Sequence, residues 1–298
     1  MKKLEDMNLV DDFLVNSLTS HKVYGERASR YILECILGRK IGKLTVIPQR
    51  FFAGENPEAH GVRMDVYLDE EDGEIFDIEP DRNGGTDSVL SLPRRVRFYH
   101  SKMDAGNLIA GEEYNTLRNV IVIFITTYDP FGSNRMIYTI KNRCVELPAL
   151  PYEDGATTIF LYTKGSEGDP PEELKNLLRY MECSSKENAP TEGLRALHKM
   201  VTEVKQDGEV GFAYMKSFEI EQMVRAEGRA EGRAEGRAEG RAEGLTMAIL
   251  SILKTRGEVS AELNSSIMAI KDFDTLEELL KCAVRAQSVS EFIDMANL

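Results

Sequence analysis

The chain of 298 residues is 42% hydrophobic and 29% charged, the make-up of a soluble globular protein long enough for a large core and more than one domain. A net charge of −13 argues against a surface coated for nucleic acid, although such a sum hides any local basic patch. The four cysteines, Cys35, Cys144, Cys183 and Cys282, lie far apart without a CxxC pair, which disfavours a disulfide frame or zinc site and suits buried free thiols of a reducing compartment.

The opening MKKLEDMNLVDDF has no apolar run behind its lysines, so no signal peptide is expected. Residues 8–18 read as a short helix with Asn8 as a cap. Residues 25–37 read as a stronger one, with Ala28, Tyr31, Ile32 and Cys35 at helical spacing and Gly38 where a stop belongs. Residues 43–52 read as a strand interrupted by Pro48, the mark of a sheet edge or bulge.

Residues 62–81, VRMDVYLDEEDGEIFDIEPD, read as a hairpin of two alternating runs around the acidic turn Glu70-Glu71-Asp72-Gly73. Alternation places Met64, Val66 and Leu68 on one face of the first run and Arg63, Asp65 and Tyr67 on the other. On the second run Asp77, Glu79 and Asp81 share a face, opposite Phe76 and Ile78. In simple register Asp65 and Glu79 converge from neighbouring strands, with Asp81 two residues on, an oxygen-rich place for a hard cation such as Mg²⁺. A solvated acidic hairpin fits the same pattern.

A loop at Gly84-Gly85, lacking any nucleotide-phosphate motif, precedes a helix expected over 93–109 with Pro93 in its first turn. Its Arg94 and Arg97 share a face with Ser101, and Arg95 and Lys102 lie on an adjoining one. These cations suit DNA phosphates; equally, Val96, Phe98, Tyr99 and Met103 suit a packing stripe whose remainder the arginines solvate. His100 has no second ligand at metal spacing and Cys144 no base partner, so both read as structural. Residues 119–127 form a continuous apolar run expected as a buried central strand, too short to cross a bilayer. Strands at 135–141 and 157–162 complete a layered α/β (α+β) domain ending near 165, in a chain expected to be cytoplasmic.

Beyond it, a helical extension spans 166–224, with one helix from Pro170-Pro171 through Cys183 and another over 191–205 capped by Thr191. Five copies of Arg-Ala-Glu-Gly fill 225–244, as a linker or helix. A four-residue period on a 3.6-residue helix gives each residue type its own drifting row, with no Arg–Glu pair at helical contact spacing inside the repeat. Such a segment suits pairing with a second copy, Arg row against Glu row, or a solvated spacer. Residues 245–298 read as a small helical module with helices at 245–255, 260–270, 275–286 and from 290, around Ile249, Ile252, Leu253, Ile267, Ile270, Leu276, Leu279, Leu280 and Val284.

The ordered blocks ILECILGRKIGKL, VRMDVYLDEEDGEIFDIEP, RRVRFYHSKMDAGNL, VIFITTYDPFG and IYTIKNRCVE, across residues 8–165, resemble the PD-(D/E)XK nucleases. The closer likeness is to the Rpn recombination-promoting nucleases, also described as PD-(D/E)XK nuclease family transposases. The resemblance implies a restriction-endonuclease-like core, a mixed sheet flanked by helices, followed here by an all-helical C-terminal extension. It implies a bacterial DNA endonuclease using Mg²⁺ or Mn²⁺ and linked to recombination or transposition. By position Asp65 resembles the family's metal-binding aspartate and Glu79 the acid of its E-x-K or E-x-Q motif. Asp81 stands where the family has lysine or glutamine, so a degenerate fold that binds DNA or protein is the alternative. The family's first-helix acid falls on Glu34, with Glu26 the next candidate.

Overall fold

The computed structural model describes residues 2–53, 61–71 and 73–298. Asp72 of the acidic turn lies outside them. A six-stranded mixed sheet holds β1 (Leu44–Pro48), β4 (Val66–Glu70), β5 (Ile75–Asp81), β6 (Val120–Thr126), β8 (Ala156–Tyr162) and β7 (Ile137–Lys141), in that spatial order. The parallel trio β5–β6–β8 forms its centre, and antiparallel pairs extend it on either side. The run 119–127 accounts for the middle: every residue of β6 is buried, as a parallel strand covered on both faces requires.

Helix α3 (Thr86–Asn107) connects β5 to its parallel neighbour β6, and its buried Leu92, Val96, Tyr99 and Met103 pack with Tyr67, Ile75, Val122, Phe124 and Phe160 on one sheet face. The opposite face, with Val66, Leu68, Phe76, Ile78, Ile123 and Leu161, is covered by α1 (Asp12–Thr19), α2 (Gly25–Leu37), α4 (Glu172–Glu182) and α5 (Glu192–Gln206). Gly38 ends α2 at φ 65°, a left-handed stop that glycine adopts without strain. Thr191 caps α5, its hydroxyl accepting from the Leu194 N–H at 3.2 Å.

Three local expectations change. Asn8 does not cap α1; its side-chain oxygen accepts from the Ser184 N–H at 3.0 Å, while its own N–H donates to Asp11 at 2.7 Å. Helix α3 begins at Thr86, so Pro93 lies inside it rather than in its first turn. The strand expected from residue 62 onward is broken: β3 (Val62–Arg63) pairs with β2 (Phe51–Phe52) in a separate two-stranded piece, and the chain bends at Asp65 before β4 begins. The bend resets the alternation. Met64 therefore packs with Val62 and Tyr67 on the α3 side, not with Val66 and Leu68.

The boundary near 165 also moves. Leu174, Leu177 and Tyr180 of α4 and Leu194, Leu197 and Val201 of α5 fill the same core as α1 and α2, because a sheet face that apolar must be covered. The compact units are 1–214 and 215–298. Helix α6 runs Gly208–Arg256, and the second unit adds α7 (Ala261–Ala269), α8 (Phe273–Arg285) and α9 (Val289–Ala296). Its core takes Ile249, Leu253, Ile267, Leu276 and Leu279 as expected and adds Phe292, while Val284 is exposed. Among the described residues no helix is long and apolar enough to cross a membrane.

Candidate active site

Strand β5 carries acid on one face only. Phe76 and Ile78 enter the core under α1 and α2, so Asp77, Glu79 and Asp81 turn toward α3. The β4–β5 register sets Val66 against Ile78, which brings Asp65, at the bend just before β4, beside Glu79. The Asp65 N–H donates to Glu79 Oε1 at 2.8 Å, and the Tyr99 hydroxyl donates to Oε2 at 3.3 Å. Asp81 forms an ion pair with Arg95 and accepts from the Asn83 N–H at 2.9 Å. Asp12, Asp65, Glu79, Asp81, Arg82, Asn83, Arg95 and Tyr99 all line one cavity of about 440 Å³.

The electrostatics of this cavity are those of too much negative charge in too little water. Burial, then the charge of Asp65, pushes Glu79 up to about 8 against the opposing Asp65 N–H, Arg95 and Tyr99. Burial also raises Asp65, against the Asn16 side chain and Arg95, which favour its charged form. Asp12, at the first residue of α1, is pushed up to about 6 by burial and by Asp65, with Arg82 opposing. Asp77 is fully buried, and burial and then Glu79 hold it well above the usual carboxylate range.

The structure thus brings Asp65, Glu79, Asp81 and Arg95 together. It does not bring Glu34 to the cavity: that carboxylate takes Lys40 Nζ at 2.8 Å and the Ile41 N–H at 3.3 Å, closing the turn after α2. The first-helix acid at the cavity is Asp12, because α1 rather than α2 ends against it. Glu26 pairs with Arg30 on its own helix. Arg94 and Arg97 are exposed on the outer side of α3, and Lys102 donates to the Ala53 carbonyl at 3.2 Å. His100 bonds Thr158 Oγ1 at 2.9 Å, a structural contact. Of the four cysteines, all free thiols, only Cys35 is buried; Cys183 is exposed. Asp12, Asp77 and Tyr99 were not legible as site residues. Asp77 shares the alternation of Glu79 and Asp81, and that was the one available signal.

A divalent cation suits this donor set. Asp65, at the bend before β4, and Glu79 on β5 offer hard carboxylate oxygens side by side, and their protonation is raised first by burial and then by neighbouring acids. Among the described residues no group of three or more His, Cys, Asp or Glu is placed to hold a metal ion. Two carboxylates are a usual protein share for Mg²⁺, with water and substrate phosphate supplying the rest.

A six-stranded mixed sheet flanked by helices, with acids from a hairpin gathered beside the central parallel strands, is consistent with the PD-(D/E)XK nuclease fold. Residues 21–145 match the family model described as PD-(D/E)XK nuclease family transposase. The match contains β1 through β7 with Asp65, Glu79, Asp81 and Arg95, and begins after Asp12. No curated protein and no solved structure matches the chain.

Proposed function

We propose that this chain is a metal-dependent DNA endonuclease of the Rpn branch, hydrolysing phosphodiester bonds in recombination or transposition. The observation that carries the reading is the convergence of Asp65 and Glu79 across neighbouring strands in an acid-rich cavity, within a segment matched by a nuclease family. Asp65 and Glu79 would hold Mg²⁺ or Mn²⁺, which supplies an acidified water and stabilises charge on the phosphate. The Tyr99 hydroxyl fixes the Glu79 carboxylate. Asp81 cannot replace a lysine as a cation, but Arg95 stands beside it and brings a guanidinium from α3 into the same cavity. Arg94, Arg97 and Lys102 on the outer part of that helix would position the DNA backbone without reading sequence. The free thiols suit a reducing, cytoplasmic setting, and the family likeness suits a bacterial one. Pairing of copies through the repeat and the C-terminal helices belongs to the same reading.

The test is nicking of supercoiled DNA with Mg²⁺ or Mn²⁺, run beside Asp65→Ala and Glu79→Ala. Metal-dependent nicking lost in both variants is expected; cleavage that survives both substitutions rejects the site. One observation favours a second reading, a degenerate nuclease fold that binds DNA or protein: Asp81 occupies the lysine position and is already neutralised by Arg95. DNA binding that weakens steeply with salt, without cleavage, would decide for it.

A further inference from the structure

Within the unit 215–298, the first turns of α6 expose Met215, Ile220, Met223 and Val224 by 58, 61, 70 and 61%. Ala226, Ala230 and Ala234 follow Met223 by three, seven and eleven residues, offsets that keep to one helix face, and all are exposed. The row drifts by about 40° per four-residue repeat, since each residue turns about 100°. That drift carries the last member, Ala242, into the buried core of the C-terminal helices. The row therefore winds by about 160° around the helix over the five repeats; the part that keeps to one face, Met223 with Ala226, Ala230 and Ala234, is bare.

The repeat's charges, apart from Arg225, also form no ion pair among the described residues. Each Ala of the repeat follows an Arg and precedes a Glu, so an Arg row and a Glu row flank the face at about 100° on either side. Among the described residues no ion pair forms between members of the repeat; Arg225 pairs with Glu221, which precedes it.

We propose that a second copy of this chain covers this face, with the two α6 helices parallel and in register. Symmetry dictates the direction. Two identical helices related by an axis parallel to themselves set the left flank of one against the right flank of the other, so Arg meets Glu along both borders. Two antiparallel copies set left against left, so Arg meets Arg and Glu meets Glu, which like-charge repulsion disfavours. The glycine row is not needed for this contact or for the chain's own packing: a Cβ added at Gly228, Gly232, Gly236, Gly240 or Gly244 meets nothing within 4 Å. The inference deepens the pairing stated above and is independent of nuclease chemistry.

Sedimentation of the full chain is expected to give twice the monomer mass at low salt, with the dimer weakening as salt rises. Replacing all five repeat arginines with Glu, or all five repeat glutamates with Arg, is expected to yield monomers, and mixing the two variants to restore the dimer. Direction is read by oxidising Met223→Cys and Ala234→Cys separately, two positions within about 20° of each other around the helix, with the disulfide located by peptide mapping against the native thiols. Parallel register links each introduced Cys to its own counterpart; an antiparallel pair can do so at one position at most. Circular dichroism confirms that each variant keeps its helix content. A monomeric wild-type chain, charge-swapped chains that keep the dimer mass, or self-linking at only one of the two positions overturns the proposal.

Discussion

Asp77 is the most deeply buried carboxylate on β5. It lies beside Glu79 and Asp65, which like the cavity's Asp12 are raised above their ordinary values. A carboxyl whose folded pKa is raised binds more protons folded than unfolded across the interval between its two pKa values. Its contribution to stability is full below the unfolded value and is lost as pH rises through the folded one. From Asp12 at about 6 and Glu79 at about 8, the metal-free chain should lose stability between about pH 4 and pH 8. Thermal melts in EDTA across that window check this, and Asp77→Asn should flatten the slope and raise the melting temperature at pH 8. A second comparison separates the two helix acids. Asp12→Asn is expected to weaken cleavage or metal binding about 10- to 100-fold, as loss of a group beside a metal site does, whereas Glu34→Gln should leave both unchanged.

The hairpin that delivers these acids is pinned at its turn end by Glu70. Its Oε1 accepts from the Gly42 N–H at 2.6 Å, and Arg39 reaches Oε2 at 3.4 Å. Arg118 braces the same end by donating to the Gly73 carbonyl at 2.9 Å and to Asp69 at 2.7 Å. Burial opposes the charge of Glu70, but the Gly42 N–H and Arg39 outweigh it and hold the carboxyl below its ordinary value. That contribution is present above the unfolded carboxylate pKa and is lost as pH falls through the folded one. Glu70→Gln should destabilise the first unit by about 1–3 kcal/mol in urea unfolding at pH 7, the worth of hydrogen bonds to a charged group. Helix α3 poses the opposite case. Pro93 inside it removes the bond to the Val89 carbonyl, and its side chain is exposed. Pro93→Ala should therefore raise stability by up to about 3 kcal/mol, measured in the same way.

Over the whole molecule, each compact unit buries its own core. Both faces of the sheet are covered by elements before residue 214, and the C-terminal helices close around Ile249, Leu253, Leu276 and Phe292. A chain of residues 1–214 should accordingly fold cooperatively, with a melting temperature within about 4 °C of the corresponding transition in the full chain, a shift worth about 1–2 kcal/mol for a unit of this size. Loss of a cooperative melt on truncation would show that the first unit depends on the second. In the same truncation the dimer mass should disappear while metal-dependent nicking by the sheet domain persists.

Period and punctuation in the sequence by themselves determined the elements that local chemistry dictates. These include α2 with its glycine stop, the buried run of β6, the Thr191 cap, the last three helices and the convergence of Asp65 with Glu79, whereas the helix expected at 245–255 is the end of α6, continuous with the repeat. The family likeness was legible for the same reason, since its blocks are those elements in order. Tertiary structure alone decided that the chain bends at Asp65, moving Met64 to the other face, and that α4 and α5 close the core of the sheet domain. It alone put Asp12 rather than Glu34 at the cavity and set Arg95 against Asp81. Periodicity fixes which residues share a face of one element, but the meeting of two faces from distant elements depends on how the whole apolar surface is covered.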